Sequence, residues 1–158
     1  MPRVDYFNDS SAPPANSLVP SVTAVVVKDD ALLMIHKVDN NLWALPGGAV
    51  DLGETAADAA SRETQEETGI DVEIDGLVGI YTDPRHVMAY DDGEVRQQFS
   101  LCFRGRAVGG ALRPQRSEAK ATRWVPLDDI ADLNIHPSMR LRIDHGLTWT
   151  AGTAAYVG

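Results

Sequence analysis

The feature that most constrains this chain is a short segment, residues 55–68, that carries helix signals at both ends. Thr55 followed by Asp58 has the spacing of an N-terminal capping box, with Asp in place of the usual Glu. Gly69 stands where a left-handed C-terminal cap belongs. One face of this segment carries three small residues, Ala57, Ala60 and Thr64. The pattern predicts a helix over 55–68 that lies close against a sheet.

A second face of the predicted helix is acidic. Glu63, Glu66 and Glu67 are spaced i, i+3, i+4, so their carboxylates share that face. No Lys or Arg stands four residues after Glu63 or Glu67, and each like-charge pair at this spacing costs about 0.2–0.5 kcal/mol. A divalent cation would offset this cost, because hard cations such as Mg²⁺ prefer oxygen ligands. The alternative interpretation is a solvated acidic face, which is common in acidic proteins.

Neighbouring residues favour the metal interpretation. Arg62 adjoins the acidic residues and Glu54 precedes it by eight positions, so a bidentate ion pair could hold the preceding loop against the helix. Gly48, in that loop, permits close backbone approach and could offer a carbonyl oxygen. Together these residues predict a metal platform with a rigid entry.

These residues resemble the signature of the Nudix hydrolase family, G-x5-E-x7-R-E-U-x-E-E-x-G-U, in which U is a bulky apolar residue. The matching positions are Gly48, Glu54, Arg62, Glu63, Thr64, Glu66, Glu67, Gly69 and Ile70. The similarity extends over about residues 19–133. Thr64 departs from the family pattern, where Leu, Ile or Val is typical. We expect slightly weaker packing there, with the hydroxyl bonded back to a helix carbonyl.

The resemblance implies a role for each matching residue. Glu63, Glu66 and Glu67, with the carbonyl of Gly48, would bind Mg²⁺ or, in its place, Mn²⁺. Arg62 and Glu54 would form an orienting ion pair. A later acid often joins the metal shell in this family, and Glu118 stands at a similar position. Glu66 or Glu118 would take the proton from the attacking water. An ordinary surface position is the other interpretation of Glu118.

The remaining pattern predicts an α/β fold, which the resemblance makes a Nudix-type α/β/α sandwich with a mixed β-sheet. Strands are expected over residues 22–27, 31–36, 72–81, 95–108 and 122–125, and further helices over 127–133 and 137–145. Residues 85–94 are expected to form a loop. We expect an irregular N-terminal arm over 1–18, a Nudix hydrolase domain over 19–146 and a weakly patterned tail over 147–158. The arm could be mobile or could dock on a second copy, which makes a homodimer feasible.

Composition limits the partners. The net charge is −9, which disfavours binding to nucleic acid, and no apolar run is long enough to cross a membrane. The N-terminal residues lack the apolar core of a signal peptide, so we expect a cytoplasmic protein. The single cysteine, Cys102, is expected to be buried.

The resemblance implies hydrolysis of a diphosphate linkage in a small nucleotide, such as ADP-ribose or a nucleotide-sugar. Pro84 has the spacing seen in the ADP-ribose branch, although a proline there is also an ordinary turn residue. Arg85, Arg96 and Tyr81 are candidate substrate contacts, and a loop or core position is the alternative for each. Two other functions stay open: pyrophosphohydrolysis of nucleoside triphosphates, as in nucleotide sanitising, and non-catalytic sensing of a nucleotide-sugar.

Overall fold

The computed structural model describes residues 3–37, 40–113 and 119–158, without the side chains of 119 and 120. In chain order the strands are β1 Arg3–Phe7, β2 Ser17–Leu18, β3 Ser21–Lys28, β4 Ala31–Lys37, β5 Trp43–Ala44, β6 Gly47–Ala49, β7 Ile70–Tyr81, β8 His86–Tyr90, β9 Val95–Gln97, β10 Ser100–Gly110, β11 Ala119–Pro126 and β12 Tyr156–Val157. The helices are α1 Ala56–Thr68, a 3-10 helix over Leu127–Asp132, and α2 Pro137–Leu147. No helix in these residues is long and apolar enough to cross a membrane.

The larger sheet has the strand order β11-β4-β3-β10-β7-β12. The β10–β3 and β12–β7 pairs are parallel and the other pairs along this path are antiparallel, so the sheet is mixed, as predicted. Alternate residues of β3 face opposite layers, as strand geometry requires. Val22 packs with Ala59 and Ala60 of α1, whereas Val25 packs with Ile143 of α2. The two helices therefore cover opposite faces, and the predicted α/β/α sandwich is confirmed.

A smaller sheet was not predicted. It has the strand order β1-β8-β9-β2, and its β1–β8 pair joins residues about 80 positions apart, with Phe7 opposite His86. The predictions of an irregular segment at residues 3–7 and of a loop at 85–94 are therefore wrong. These short strands depend on non-local pairing and carry no strong alternation of their own. The single strand predicted over 95–108 is also wrong, since it divides at residues 98–99 into β9 and β10.

The C-terminal segment is ordered as well. β12 pairs with β7, and Tyr156 stacks on Tyr81 with ring centroids 5.1 Å apart. The indole N–H of Trp149 donates to the carbonyl of Leu77 at 3.1 Å. This tail closes the edge of the larger sheet, which its weak sequence pattern did not indicate.

Candidate active site

Helix α1 has the boundaries that its caps predicted. The hydroxyl of Thr55 accepts from the backbone N–H of Asp58 at 3.0 Å, and Gly69 ends the helix in the left-handed region with φ 83°. Thr64 is fully buried, and its hydroxyl donates to the carbonyl of Ala60 at 2.7 Å. The expected bond from the threonine hydroxyl back to a helix carbonyl is therefore confirmed.

Arg62 ties the preceding loop to α1 through the predicted ion pair. Its Nε and Nη2 donate to the two oxygens of Glu54 at 3.0 and 2.7 Å, and Nη2 also donates to the carbonyl of Ala49 at 3.1 Å. The backbone N–H of Asp51 donates to Glu54 at 2.7 Å. Hydrogen bonds from Arg62, then from Asp51, lower the pKa of Glu54 to about 2. This carboxylate is thus ionised at neutral pH and anchors the loop.

The same guanidinium reaches the acidic face. Nη1 of Arg62 donates to Glu63 at 3.0 Å and to Glu66 at 3.2 Å. Arg62 therefore offsets part of the repulsion between the acidic side chains. The sequence argument omitted this contribution because it considered only the positions four residues after Glu63 and Glu67. The side chain of Glu66 is about half exposed, at 51%.

Glu63 lies against the glycine loop. A Cβ atom on Gly48 would stand 2.5 Å from a carboxylate oxygen of Glu63, so only glycine leaves room for that side chain. Burial raises the pKa of Glu63, and Arg62 acts in the opposite direction. The Glu63 carboxylate therefore occupies the space that a side chain on Gly48 would fill.

Glu67 is buried, with 6% of its surface exposed. One of its oxygens accepts from the backbone N–H of Gly47 at 2.8 Å. This bond joins the C-terminal half of α1 to the glycine loop and is a further contact that fixes the loop against the acidic face.

The types of donor on this face, although not their present arrangement, suit a hard divalent cation. The donors on this face are carboxylate oxygens, and such ligands suit Mg²⁺. Within the described ranges, no three acidic, histidine or cysteine side chains form a group that could hold a metal ion. Arg62 bonds to both Glu63 and Glu66 in this arrangement. Glu118 lies outside the described residues.

A cavity of about 590 Å³ opens beside the glycine loop. One end is lined by Gly48, Glu63 and Glu67. The other end is lined by residues of the smaller sheet and of α2: Arg3, Asp5, His86, Arg96, His136 and Arg142. The acidic face of α1 thus shares one cavity with a mixed polar wall.

The candidate substrate residues fall in different places. Arg96 lines the cavity, where it pairs with Glu94 at 2.7 Å and lies 4.6 Å from the ring of Tyr90. Tyr81 is buried in the core beside a smaller cavity, and its hydroxyl bonds to His145 at 2.8 Å. Arg85 is mostly exposed and pairs with Asp83 in the adjoining turn, away from the cavity lining.

Several cavity residues were not singled out from the sequence as site residues. Asp5 lay in the segment predicted to be irregular, His136 was interpreted as structural, and Arg142 was not distinguished from other helical arginines. The burial of Arg142 would have marked it as unusual, but burial cannot be inferred from one isolated position in a sequence. Cys102 is fully buried, as predicted.

Comparison with known proteins agrees with this geometry. A family model described as the NUDIX domain matches residues 17–145. A "MutT-like protein" of Streptomyces ambofaciens is 38% identical over 125 residues, which cover 78% of this chain and 73% of that protein. An "ADP-ribose pyrophosphatase" of Methanocaldococcus jannaschii is 31% identical over 116 residues, covering 72% and 64%.

Solved structures share the fold. The crystal structure of an ADP-ribose pyrophosphatase from Streptococcus suis superposes with a TM-score of 0.69 at 23% identity, covering 89% of this chain and 98% of that one. At this identity the likeness concerns the fold alone. The match to the family model spans most of the chain and includes every residue of the glycine loop, the Arg62–Glu54 pair and the acidic face of α1. The chain belongs to the Nudix family of hydrolases.

Proposed function

We propose that this protein is a metal-dependent hydrolase that cleaves the diphosphate linkage of a nucleoside diphosphate derivative, such as ADP-ribose or a nucleotide-sugar. The close approach of Gly48 to the Glu63 carboxylate carries the proposal. It places the glycine loop directly beside an acidic side chain, in the lining of a cavity large enough for a small nucleotide.

Each residue of the α1 platform has a proposed role. Glu63, Glu66 and Glu67, with the Gly48 carbonyl, would hold Mg²⁺ or Mn²⁺, and the Arg62–Glu54 pair keeps the loop and helix in register. When bound, the metal supplies charge neutralisation for the diphosphate and activation of water. Glu118 is retained as a proposed further ligand or base.

Glu66 is our candidate general base. Its side chain is more exposed than those of Glu54 and Glu63, to which Arg62 also donates, and the bond from Arg62 orients it. A proton from the attacking water passes to a Glu66 oxygen as the new phosphorus–oxygen bond forms. The bond between the bridging oxygen and phosphorus then breaks, which leaves two phosphate monoesters.

Pyrophosphohydrolysis of nucleoside triphosphates is the second candidate. It is favoured by relatives named "MutT-like protein" and "Putative 8-oxo-dGTP diphosphatase", the second from Bacillus subtilis and 33% identical over 101 residues. A relative named "RNA pyrophosphohydrolase" also exists, but the net charge of −9 supports a small nucleotide in preference to RNA as the substrate here.

Product analysis tests both candidates. The protein would be incubated with Mg²⁺ and ADP-ribose, nucleotide-sugars, dinucleoside polyphosphates or nucleoside triphosphates, with EDTA as a control, and the products separated by chromatography. Two phosphate monoesters from ADP-ribose or a nucleotide-sugar are expected. Release of pyrophosphate from a triphosphate, without cleavage of the other compounds, would establish the second candidate instead. A folded protein that turns over none of them would favour a sensor.

A further inference from the structure

The cavity is lined by buried side-chain atoms that lack hydrogen-bond partners among the described residues. Across the described parts of the chain, such side-chain atoms belong to Asp5, Thr23, His86 and Arg142, and all four residues line this cavity. Buried polar groups in folded proteins are nearly always paired with protein, water or ligand. Their concentration around one cavity indicates that something bound in the cavity completes them.

His86 is the centre of this group. It is only 5% exposed, and neither ring nitrogen has a hydrogen-bond partner among the residues described. Its Nε2 lies 4.0 Å from an oxygen of Asp5, beyond direct hydrogen-bond distance. Its ring stacks on His136 at 4.8 Å, and Phe7 meets both rings edge-on. The ring is therefore fixed in place by packing, while its nitrogens stay available.

Arg142 lies on the α2 side of the same group. It is 2% exposed, its Nη1 donates to the carbonyl of Ser138 at 2.9 Å, and its guanidinium lies 4.8 Å from the ring of Tyr81. Its Nε has no partner, and within the described ranges no carboxylate pairs with it. A donor that is always charged is thus held beside His86 and His136.

Asp5 comes from the N-terminal strand β1, before the start of the family match at residue 17. Arg3 forms an ion pair at 3.3 Å with Oδ1 of Asp5, the oxygen that has no hydrogen bond among the described residues. Burial alone would raise the pKa of Asp5, but His86 and Arg3 outweigh burial and hold the pKa below its ordinary value. Asp5 is therefore an ionised acceptor at neutral pH and carries no proton to donate.

We infer that Asp5, His86 and Arg142 bind the nucleobase of the substrate through its hydrogen-bonding edge, so that the N-terminal strand supplies a specificity residue. This inference rests on the proposed function, since it takes the ligand to be a nucleotide. Asp5 only accepts, Arg142 only donates, and each ring nitrogen of His86 can donate or accept, depending on the tautomer. The occupant must therefore both donate and accept, as the edge of a nucleobase does.

Other parts of the substrate match less well. A phosphate group only accepts hydrogen bonds, and Asp5 would repel it. A ribose hydroxyl can donate and accept, but the neighbouring cavity wall contains Met88, Phe99 and Met139, whose apolar surfaces suit a planar ring. The base edge satisfies the polar atoms and the apolar wall together.

Calorimetric binding of products, with EDTA and without metal, tests the inference. The probes are the four ribonucleoside 5′-monophosphates, ribose 5-phosphate, and the 2′-deoxy form of the tightest binder. We expect the tightest monophosphate to bind at least tenfold more tightly than ribose 5-phosphate, with little change for the 2′-deoxy form. The inference would be overturned if all probes bound equally, if none bound, or if the 2′-deoxy monophosphate bound as weakly as ribose 5-phosphate. This comparison requires no variant.

The Asp5→Asn variant then tests whether Asp5 is responsible for the tighter binding of the nucleoside monophosphate. We expect the tenfold ratio to fall to threefold or less, whereas Asp9→Asn, an equal charge change at an exposed residue outside the cavity lining, preserves it. A ratio in Asp5→Asn equal to that of the wild type would overturn the assignment. An Asp5-dependent base preference in a protein that hydrolyses nothing would refute the proposed function and leave this inference standing.

Discussion

At the scale of single residues, two adjacent glycines serve different purposes. A Cβ atom on Gly47 would stand 2.1 Å from the backbone oxygen of Val22, whereas a Cβ on Gly48 would meet the carboxylate of Glu63. The first contact is with a strand that cannot move, and the second is with a side chain that can. Gly47 therefore matters to the packing of the loop on β3, and Gly48 to the placement of Glu63.

Gly48→Ala should reduce activity far more than stability. Displacement of Glu63 by about 1 Å is expected to lower kcat about 100-fold, because the carboxylate leaves the metal platform. The unfolding free energy should fall by no more than about 1–3 kcal/mol. Steady-state kinetics and urea unfolding measure the two effects. Gly152→Ala is the matched control, since nothing lies within 4 Å of a Cβ there. Unchanged kcat in Gly48→Ala would contradict the proposed role of this loop.

His136 makes stability depend on pH. Burial, and then the neighbouring His86, lower its pKa to about 4, with Arg142 and Arg3 acting in the same direction and Asp5 opposing them. The unfolded chain binds this proton near pH 6.5, but the folded protein does not until about pH 4. The contribution is therefore complete above pH 6.5 and is lost as the pH falls from about 6.5 to 4.

His136→Asn should flatten this dependence. Asn can cap α2 in place of the imidazole, whose Nδ1 accepts from the backbone N–H of Ser138 at 3.1 Å, and it does not titrate. Between pH 7 and pH 4.5 the wild type should lose about 1–3 kcal/mol more unfolding free energy than the variant. Urea unfolding at several pH values measures the difference. Parallel curves for the two proteins would show that His136 is not responsible.

At the scale of elements, α1 was predictable and the smaller sheet was not. The helix carries its boundaries in its own sequence, through Thr55 at one end and Gly69 at the other. Strand β1 has no such local signal, because its pairing partner β8 lies about 80 residues away. Short strands of this kind are determined by the surface on which they pair, which a single sequence does not reveal.

Gly69→Ala should destabilise the protein more than Gly53→Ala. Both glycines have positive φ, 83° and 88°, so alanine is strained at either by about 1 kcal/mol. Only at Gly69 would the new Cβ also stand 2.3 Å from the carbonyl oxygen of Ala111. This contact should bring the total for Gly69→Ala to about 2–4 kcal/mol. Chemical denaturation compares the two variants, and equal losses would show that the Ala111 contact is relieved without cost.

At the scale of the whole molecule, the two ends of the cavity differ in how far they could be predicted. The α1 end depends on residues within one short segment, so spacing alone placed Glu54, Arg62 and Glu63 together. The opposite end is assembled from β1, β8 and α2, and it brings Asp5 near His86 and His136 only after the chain has folded. No periodicity in the sequence links those positions. The acidic face of α1 was therefore predictable, whereas the cavity wall proposed to bind the nucleobase was not.

We propose that the acidic face of α1 performs metal-dependent hydrolysis, and the Glu66→Gln variant tests this role most directly. The rate would be measured with Mg²⁺ on the best substrate of the product analysis. The control is Asp58→Asn, which changes an acid on the same helix at a variable position of the family signature. Because Glu66→Gln removes the proposed general base, its kcat is expected to fall about 10²–10⁴-fold. The kcat of Asp58→Asn is expected to stay within about twofold of wild type, since the effects of surface substitutions are usually small. Equal kcat values for Glu66→Gln and wild type, with both proteins folded, would contradict the account.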